Sequence, residues 1–405
     1  MLHSSSCKPN PSRISYRLRH ENNGMTQSKL WQSTPFWALS LGLFLNSYIY
    51  GVAASQAVWL KGHTVLLLAW GPLLLALGIG LGGVLADYLG RLKLLMGTPV
   101  LYISGSLLIL WRPHIIGLSI GSALLLIAGG IESNTLITYA QELITPSLRV
   151  QALYTELNFV NLGGFVLAIY TWIAPKLPAS FRQNAVAIVP LLLSVLSWVV
   201  RSQLVESVSW ERHRGQNMTY PQFLKFFPRL LVSSVFSLTN TSGFSLLTYA
   251  FGTVFFPHIF PVFLLISTGT AVMIGLSAPI VAKWPVNRFL VYAYLLAAVS
   301  ATAVRLHPNP QGRLFWLFII TLSAGTSLSY LGEDTFKSAH WPDFYRSRFT
   351  AISRIIGLSG YILILWVLNR QPFNTFLTVI AGLWWIGFLS ALVWHIFYGT
   401  VLLQE

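Results

Sequence analysis

Long apolar segments recur along the chain between short polar stretches, and this repetition constrains the fold more than any other feature. A helix that crosses a bilayer needs about 20 predominantly apolar residues, and the sequence offers a segment near that length twelve times. Only 9% of the residues are charged, whereas a soluble domain carries about 25%. The sequence therefore predicts an all-α, multi-pass membrane protein.

The twelve spans have predicted bounds that follow the apolar runs. Pro190 and Pro279 fall inside spans, which is acceptable because neighbouring helices can satisfy the carbonyl groups that proline frees. The predicted spans are 36–56, 64–86, 94–111, 115–139, 152–173, 185–200, 230–251, 259–282, 289–304, 314–332, 350–369 and 376–399.

Basic residues predict the orientation of these spans. With the amino terminus inside, 19 of the 26 Lys and Arg residues lie in inner segments and 7 in outer loops, which is the bias expected of cytoplasmic loops. Both termini are therefore predicted to face the cytoplasm, with the plasma (inner) membrane as the location; the alternative is the matrix or stroma of an organelle. The formal charge of +15 is scattered among apolar spans, so we expect the lipid bilayer, and not nucleic acid, as the partner.

A polar interval at 201–229 divides the chain into two sets of six spans. The halves also share a spacing, because Arg149 and Arg346 each precede a glycine, Gly163 and Gly360, by fourteen residues. The predicted organisation is a cytoplasmic tail at 1–35, six-helix bundles at 36–200 and 230–399, a central loop at 201–229 and a short tail at 400–405. Parallel halves of this kind typically hold substrate between them.

The turn after the second span reads G-x-L-A-D-x-x-G-R from Gly83 through Asp87 and Gly90 to Arg91. It resembles the loop 2–3 signature of the major facilitator superfamily of transporters, except that Tyr88 stands where most members carry Arg or Lys. The resemblance implies twelve transmembrane helices in two pseudo-symmetric six-helix bundles. It also implies that the acid and the base of this turn close the inner side of the protein.

A second motif runs from Glu132 through Glu142 and Pro146 to Arg149. It resembles the G-x-E…E-x-x-P-x-x-x-R pattern of the metabolite:proton symporters and sugar porters, with Pro146 one position late. The resemblance implies that Glu142 and Arg149 join Asp87 in a cytoplasmic charge relay. The alternative is that these charges only anchor the loops at the headgroups.

The second half holds its own acids and bases near the inner surface. Glu333 and Asp334 close the predicted tenth span and are expected to face Arg346 and Arg348. These four residues would form the second half's inner latch.

Proton coupling by the usual route of the symporters is in doubt. The first span resembles their F-L-D-G-Y-D-L-G-V segment but carries Asn46 and Ile49 at the two aspartate positions, and neither side chain can carry a proton. Glu132 is the candidate replacement, because an ionisable side chain inside a span is a functional hypothesis by default. The alternative is a packing acid, hydrogen-bonded to backbone or paired with a cytoplasmic arginine.

A substrate cavity is expected between spans 1, 4, 7 and 10, with contributions from 5, 8 and 11, as the resemblance implies. No Arg or Lys falls at the predicted mid-depth of any span, and an anionic solute would require one, so a small neutral solute such as a sugar is favoured. The candidate cavity residues are polar or aromatic: Asn46, Tyr50, Asn158, Asn161, Asn240, Tyr249, Thr326 and Tyr330.

These features predict a secondary active or facilitative transporter of a small metabolite that works by alternating access, as a monomer; if transport is coupled to protons, Glu132 is the hypothetical proton carrier. Cys7 is the only cysteine and the nine His are dispersed, so no metal, cofactor or enzymatic centre is expected. The alternatives are an organic-acid or drug/proton transporter of the same fold, or a receptor or scramblase that keeps the fold without moving solute. The segment 1–24 is interpreted as a tail or an extension before Met25, with a targeting peptide as the alternative.

Overall fold

A computed structural model describes residues 34–59, 64–111, 115–144, 146–216, 218–339, 341–368 and 370–398. These residues form helices and connecting turns, and no strand occurs among them. The predicted tails at 1–35 and 400–405, apart from Thr34 and Pro35, lie outside the described residues, as does the question of the targeting peptide. The all-α fold predicted from the sequence is confirmed.

The described residues of the first half form six long helices. A short 3₁₀ turn at Ala174–Lys176 follows the fifth. The six are α1 (Thr34–Trp59), α2 (Thr64–Leu89), α3 (Arg91–Trp111), α4 (Ile115–Leu143), α5 (Pro146–Ile173) and α6 (Ala179–Arg201).

The second half forms six more. The first of these, α7, is a continuous element that begins as an α-helix (Tyr220–Ser245), passes through a π-helical turn (Leu246–Phe251) and ends at Gly252–Phe255. The others are α8 (Phe260–Gly275), α9 (Val286–Leu306), α10 (Arg313–Ala339), α11 (Arg346–Leu368) and α12 (Phe373–Tyr398).

Ten of these helices are long and apolar enough to cross a membrane, and two shorter apolar helices occur at Val186–Arg201 and Phe260–Gly275. The chain is therefore an integral, multi-pass membrane protein, as predicted. The helices extend beyond several predicted spans at the polar ends. In particular, α7 begins at Tyr220 inside the predicted loop, and α10 continues to Ala339 past the predicted end at 332. Apolar runs end where side chains become polar, whereas helices continue until the backbone turns.

Helix contacts within the first half repeat in the second. In the first half, α1 packs against α4, α5 and α6, and α3 packs against α4 and α6; in the second, α7 packs against α10, α11 and α12, and α9 against α10 and α12. Two contacts join the halves: α2 with α11, and α5 with α8. A shift of six in the helix numbers converts one of these contacts into the other. We propose these two six-helix units as the domains, with boundaries as predicted from the sequence.

Two glycines of the first motif allow close approach. Gly90, between α2 and α3, has φ +112°, and a Cβ there would lie 2.5 Å from Glu206 Oε2. A Cβ on Gly83 would lie 2.4 Å from the Cβ of Ala351, where α2 meets α11 of the other half. Gly90 therefore allows the turn between α2 and α3, and Gly83 allows the close contact between the two halves.

Candidate functional site

A buried ion cluster surrounds the α2–α3 turn. The guanidinium of Arg91 is fully buried; it lies 3.1 Å from Asp87 Oδ1 and donates to Glu142 through Nε at 3.1 Å and Nη2 at 3.0 Å. Its Nη1 donates to the carbonyl of Ala86 at 3.0 Å. The two acids and the base predicted from the two motifs therefore meet at one point.

The same cluster reaches the second half of the chain. Asp87 Oδ2 lies 3.6 Å from Arg348 Nε, and Glu142 Oε1 lies 3.5 Å from Arg346 Nη1. Arg91 Nη2 donates to the carbonyl of Asp343 at 2.9 Å, and Arg346 binds the Asp343 carboxylate at 2.5 Å. We call Asp87, Arg91, Glu142, Asp343, Arg346 and Arg348 the gate cluster, and the end of the bundle that holds it the gate end.

Neutral polar contacts between the halves lie beside the gate cluster. The Asn134 amide of α4 donates to the Ser347 hydroxyl of α11 at 2.9 Å and to its carbonyl at 3.0 Å. About two turns further along α4, Gln141 donates to Ser338 of α10 at 2.8 Å. All four residues are buried, so the two halves are in contact at this end.

Arg149 takes a different position from the one that the motif implies. Its guanidinium donates to the carbonyl of Ile144 at 3.3 and 3.4 Å, and in the described part of the chain no acid forms an ion pair with it. Glu142 is instead bound by Arg91 and Arg346. Sequence spacing along one helix could not show that a base from the other half takes this place.

The central interval also contributes to the gate end, which the sequence did not indicate. Glu206 accepts from the backbone N–H groups of Arg91 and Leu92, at 3.0 and 3.1 Å, and so caps the start of α3. A short helix, Val208–His213, follows. Trp210 on it donates to the Asp87 carbonyl at 2.9 Å, and Ser209 donates to the Asp343 carboxylate. The interval thus contacts both halves.

A cavity of about 170 Å³ lies between the two halves. Helices α1, α4, α5, α7, α8, α10 and α11 line it as expected, and α2 contributes Leu75 and Ile79. Seven of the eight candidate residues line the cavity: Asn46, Tyr50, Asn161, Asn240, Tyr249, Thr326 and Tyr330. Asn158 does not line it; its amide donates to Val272 O of α8 at 3.3 Å.

The polar groups of the cavity are held by neighbouring helices. Asn46 donates to Gly129 O at 2.8 Å, and Asn240 donates to Ser329 Oγ at 2.7 Å. Asn161 donates to Ser327 Oγ at 3.2 Å, so α5 and α10 of different halves meet across the cavity. Tyr50 and Tyr249 join α1 to α7, with ring centroids 5.4 Å apart.

Four charged residues also line the cavity: Glu333, Asp334 and Lys337 of α10, with Arg354 of α11. Lys337 Nζ lies 3.0 Å from Glu333 Oε1 and 2.9 Å from Asp334 Oδ1, and Arg354 lies 2.6 Å from Asp334 Oδ2. We call these four residues the cavity quartet.

The cavity quartet corrects two predictions. Glu333 and Asp334 were expected to face Arg346 and Arg348, but those arginines bind acids of the gate cluster. The cavity was expected to hold no cation, yet Lys337 and Arg354 line it. Ending the tenth span at 332 left Glu333, Asp334 and Lys337 outside it, whereas α10 continues to Ala339 and carries the E-D-x-x-K segment on one helical face.

Glu132 lies outside the cavity lining and is fully buried in the first half. Its carboxylate forms an ion pair with Arg201, the last residue of α6, and accepts from Thr98 Oγ1 at 2.7 Å. Arg201 is fully buried as well and also donates to Leu95 O at 3.1 Å. This arrangement is the packing alternative, with an arginine that the sequence placed in the inner loop.

Solved structures of transporters match the chain over most of its length. They include the proton:xylose symporter XylE bound to 6-bromo-6-deoxy-D-glucose (TM-score 0.73, 15% identity, 92% of this chain and 96% of that one). The human organic anion transporter MFSD10 matches with TM-score 0.69 and 13% identity over 91% and 100% of the two chains. The E. coli fucose:proton symporter FucP matches with TM-score 0.67 and 12% identity over 89% and 98%.

The chain has the major facilitator fold. No family model and no curated protein matches its sequence, so the likeness lies in structure at identities too low to carry activity. The solved structures that match are transporters and not enzymes. Within this fold, the gate cluster lies where the two six-helix units meet.

Proposed function

We propose that the chain moves a small, neutral solute across a membrane by alternating access. The observation that carries the proposal is the cavity between the two six-helix units, together with a gate cluster that joins those units at one end. Opening at the gate end requires the Asp87–Arg348 and Glu142–Arg346 contacts to separate, while the cavity keeps its polar lining. Sugars are the preferred class because two of the matching structures are sugar symporters by title.

The cavity lining supports a neutral solute. The cavity quartet contains two acids and two bases, so it adds no net formal charge, and the other polar groups are amides, hydroxyls and phenols. Neutral hydrogen-bonding groups of this kind suit a hydroxylated solute.

A second candidate function rests on Lys337 and Arg354. A carboxylate could replace one acid of the quartet as their partner, since charge-assisted hydrogen bonds favour such exchange. An organic acid is then the solute, and the organic anion transporter among the matching structures keeps this candidate open.

Counterflow in proteoliposomes tests the proposal without any requirement for an ion gradient. Purified full-length chain would be reconstituted and assayed for exchange of radiolabelled D-xylose and L-fucose, with benzoate as the organic acid. We expect exchange of a sugar, lowered at least several-fold in Asn161→Ala and little changed in Asn374→Ala, a control at an exposed position of α12 outside the cavity. Exchange of benzoate alone would favour the second candidate, and exchange of labelled lipid without solute would favour a scramblase.

Glu132 is proposed to stabilise the first half, and not to carry protons, since its carboxylate is held by Arg201 and Thr98 away from the cavity. We further propose the orientation predicted from the basic residues, with the gate end cytoplasmic, in the plasma membrane, and a monomeric protein. Protease accessibility of the central interval in sealed vesicles of known sidedness tests the orientation.

A further inference from the structure

Glu333 is the acid of the cavity quartet with the fewest partners. One of its oxygens, Oε1, lies 3.0 Å from Lys337 Nζ, and among the described residues no group forms a hydrogen bond with Oε2. Asp334 is within ion-pair distance of a cation at both oxygens, Lys337 at 2.9 Å from Oδ1 and Arg354 at 2.6 Å from Oδ2, whereas Oε2 of Glu333 forms no ion pair with a described residue. Because the two acids share Lys337, the negative charge of Glu333 is balanced by fewer ion pairs than the charge of Asp334.

In the described part of the chain, two cations face Glu333, and both belong to the cavity quartet: Lys337 and Arg354. On α10 it faces Asp334, Lys337 and the Tyr330 phenol; from α11 it faces Arg354 and from α9 the Tyr294 phenol. Tyr294 donates its own proton to Phe236 O at 3.2 Å. Glu333 is 1% exposed and lines the cavity, so its carboxylate is buried in protein at the cavity wall.

We propose that Glu333 is the proton-binding group of this transporter, an inference that rests on the proposed function. A hydronium ion in the cavity transfers its proton to Glu333 Oε2, which leaves water and a neutral carboxyl group. Lys337 then serves Asp334 alone, and the quartet changes from no net charge to one positive charge. On release, the proton returns to water, and Lys337 is shared again.

The quartet is connected to the contacts between the halves through the next turn of α10. Ser338 follows Lys337 directly and accepts the hydrogen bond from Gln141 of the first half. The Lys337 carbonyl also accepts from Thr350 of α11, 3.2 Å away. A movement of Lys337 on protonation of Glu333 therefore acts on the helical turn of α10 that is hydrogen-bonded to α4.

Infrared difference spectroscopy of the purified chain in lipid tests proton binding without any solute. As the pH is lowered from alkaline to mildly acidic, we expect the C=O band of a protonated carboxyl group to appear in the wild type. It should be absent in Glu333→Gln and shifted in frequency in Glu333→Asp, which keeps the carboxyl group. Glu156→Gln is the control for a competing assignment, because Glu156 is as buried as Glu333 and neither of its oxygens has a hydrogen-bond partner among the described residues, but it does not line the cavity.

A pH-dependent band that is unchanged in both Glu333 variants would overturn the proposal, as would its loss in the Glu156 control alone. Transport gives the second measurement: in Glu333→Gln we expect accumulation driven by a proton gradient to be lost, whereas Glu333→Asp, which keeps the carboxyl group, should retain part of it. Equal accumulation in wild type and Glu333→Gln would also overturn it. If wild type exchanges no sugar but Glu333 still gives the infrared band, the proposed substrate class has failed and the proton site has not.

Discussion

Asp87 Oδ2 on α2 accepts a hydrogen bond from the backbone N–H of Arg348 on α11, 3.3 Å away, and lies 3.6 Å from the Nε of the same residue. The two residues belong to different halves of the chain, and Asp87 is buried. Under the proposed alternating access, this contact exists only while the gate end is closed, and its loss changes the balance between closed and open states.

Asp87→Asn should open the gate end more often, because the amide keeps the side-chain shape but loses attraction to Arg91 and Arg348. Couplings of this kind are worth about 1–3 kcal/mol, or roughly 5–150-fold in an equilibrium. With Cys7→Ser as background, the reporter would be Thr138→Cys, which is buried one turn from Asn134. We expect its maleimide labelling to accelerate at least about fivefold.

The control for Asp87→Asn is Lys93→Gln, an exposed charge in the same turn. Its labelling rate should stay that of the background protein. A rate in Asp87→Asn equal to that of the control would mean that the carboxylate only anchors the loop.

Gly83→Ala should weaken closure by steric means. Its Cβ would lie 2.4 Å from Ala351 Cβ and 3.3 Å from the Ser347 carbonyl, so α2 and α11 must move apart. Overpacking costs about 1–3 kcal/mol, and we expect a lower thermal midpoint by tryptophan fluorescence.

The matched control for Gly83 is Gly97→Ala on α3, where nothing lies within 4 Å of the added Cβ. That substitution should be neutral or stabilising by up to about 1 kcal/mol, since alanine is the better helix former. Equal midpoints for the two variants would exclude a tight contact at Gly83.

Glu132→Gln should destabilise the protein, because it leaves the Arg201 guanidinium buried without its acid. Removing one partner of a buried ion pair costs about 3–5 kcal/mol. The double variant Glu132→Gln with Arg201→Met should regain part of that loss, as measured by thermal unfolding. A stable Glu132→Gln protein that loses proton-driven accumulation would instead restore the coupling hypothesis for Glu132.

Glu206→Ala should destabilise the start of α3. The carboxylate accepts from two backbone N–H groups there, and loss of such a cap costs about 0.5–2 kcal/mol. Glu211→Ala, at an exposed position of the same interval, should stay within about 0.5 kcal/mol of wild type. Thermal unfolding of the pair separates capping from a general effect of charge, and equal losses would contradict capping.

The sequence predicted the fold well because lipid leaves few choices for a chain with twelve apolar runs. It also predicted most residues of the gate cluster, since Asp87 and Arg91 lie in one local turn around Gly90, and their spacing can be recognised in the sequence. The partners from the other half were harder to predict: Arg348 meets Asp87 from 261 residues away and Arg346 meets Glu142 from 204 residues away (346 − 142), and no local pattern indicates which base meets which acid.

The cavity was predicted less completely than the gate. Asn158 and Asn161 look equivalent in sequence, yet only Asn161 lines the cavity while Asn158 faces α8. Arg201 was assigned to an inner loop because arginine ends the apolar run, but the helix carries it into the core to meet Glu132. Side-chain direction at a helix end depends on packing that spacing alone does not encode.

Distances between paired spin labels at both ends of the bundle test the central claim most directly. With Cys7→Ser as background, one pair would be Tyr88→Cys with Trp284→Cys at the gate end, and the other Ile116→Cys with Leu306→Cys at the opposite end; all four positions are exposed. On introduction of Asp87→Asn, the account predicts that the gate-end distance lengthens while the opposite distance shortens. Two distances that stay fixed, or that change in the same direction, would contradict alternating access.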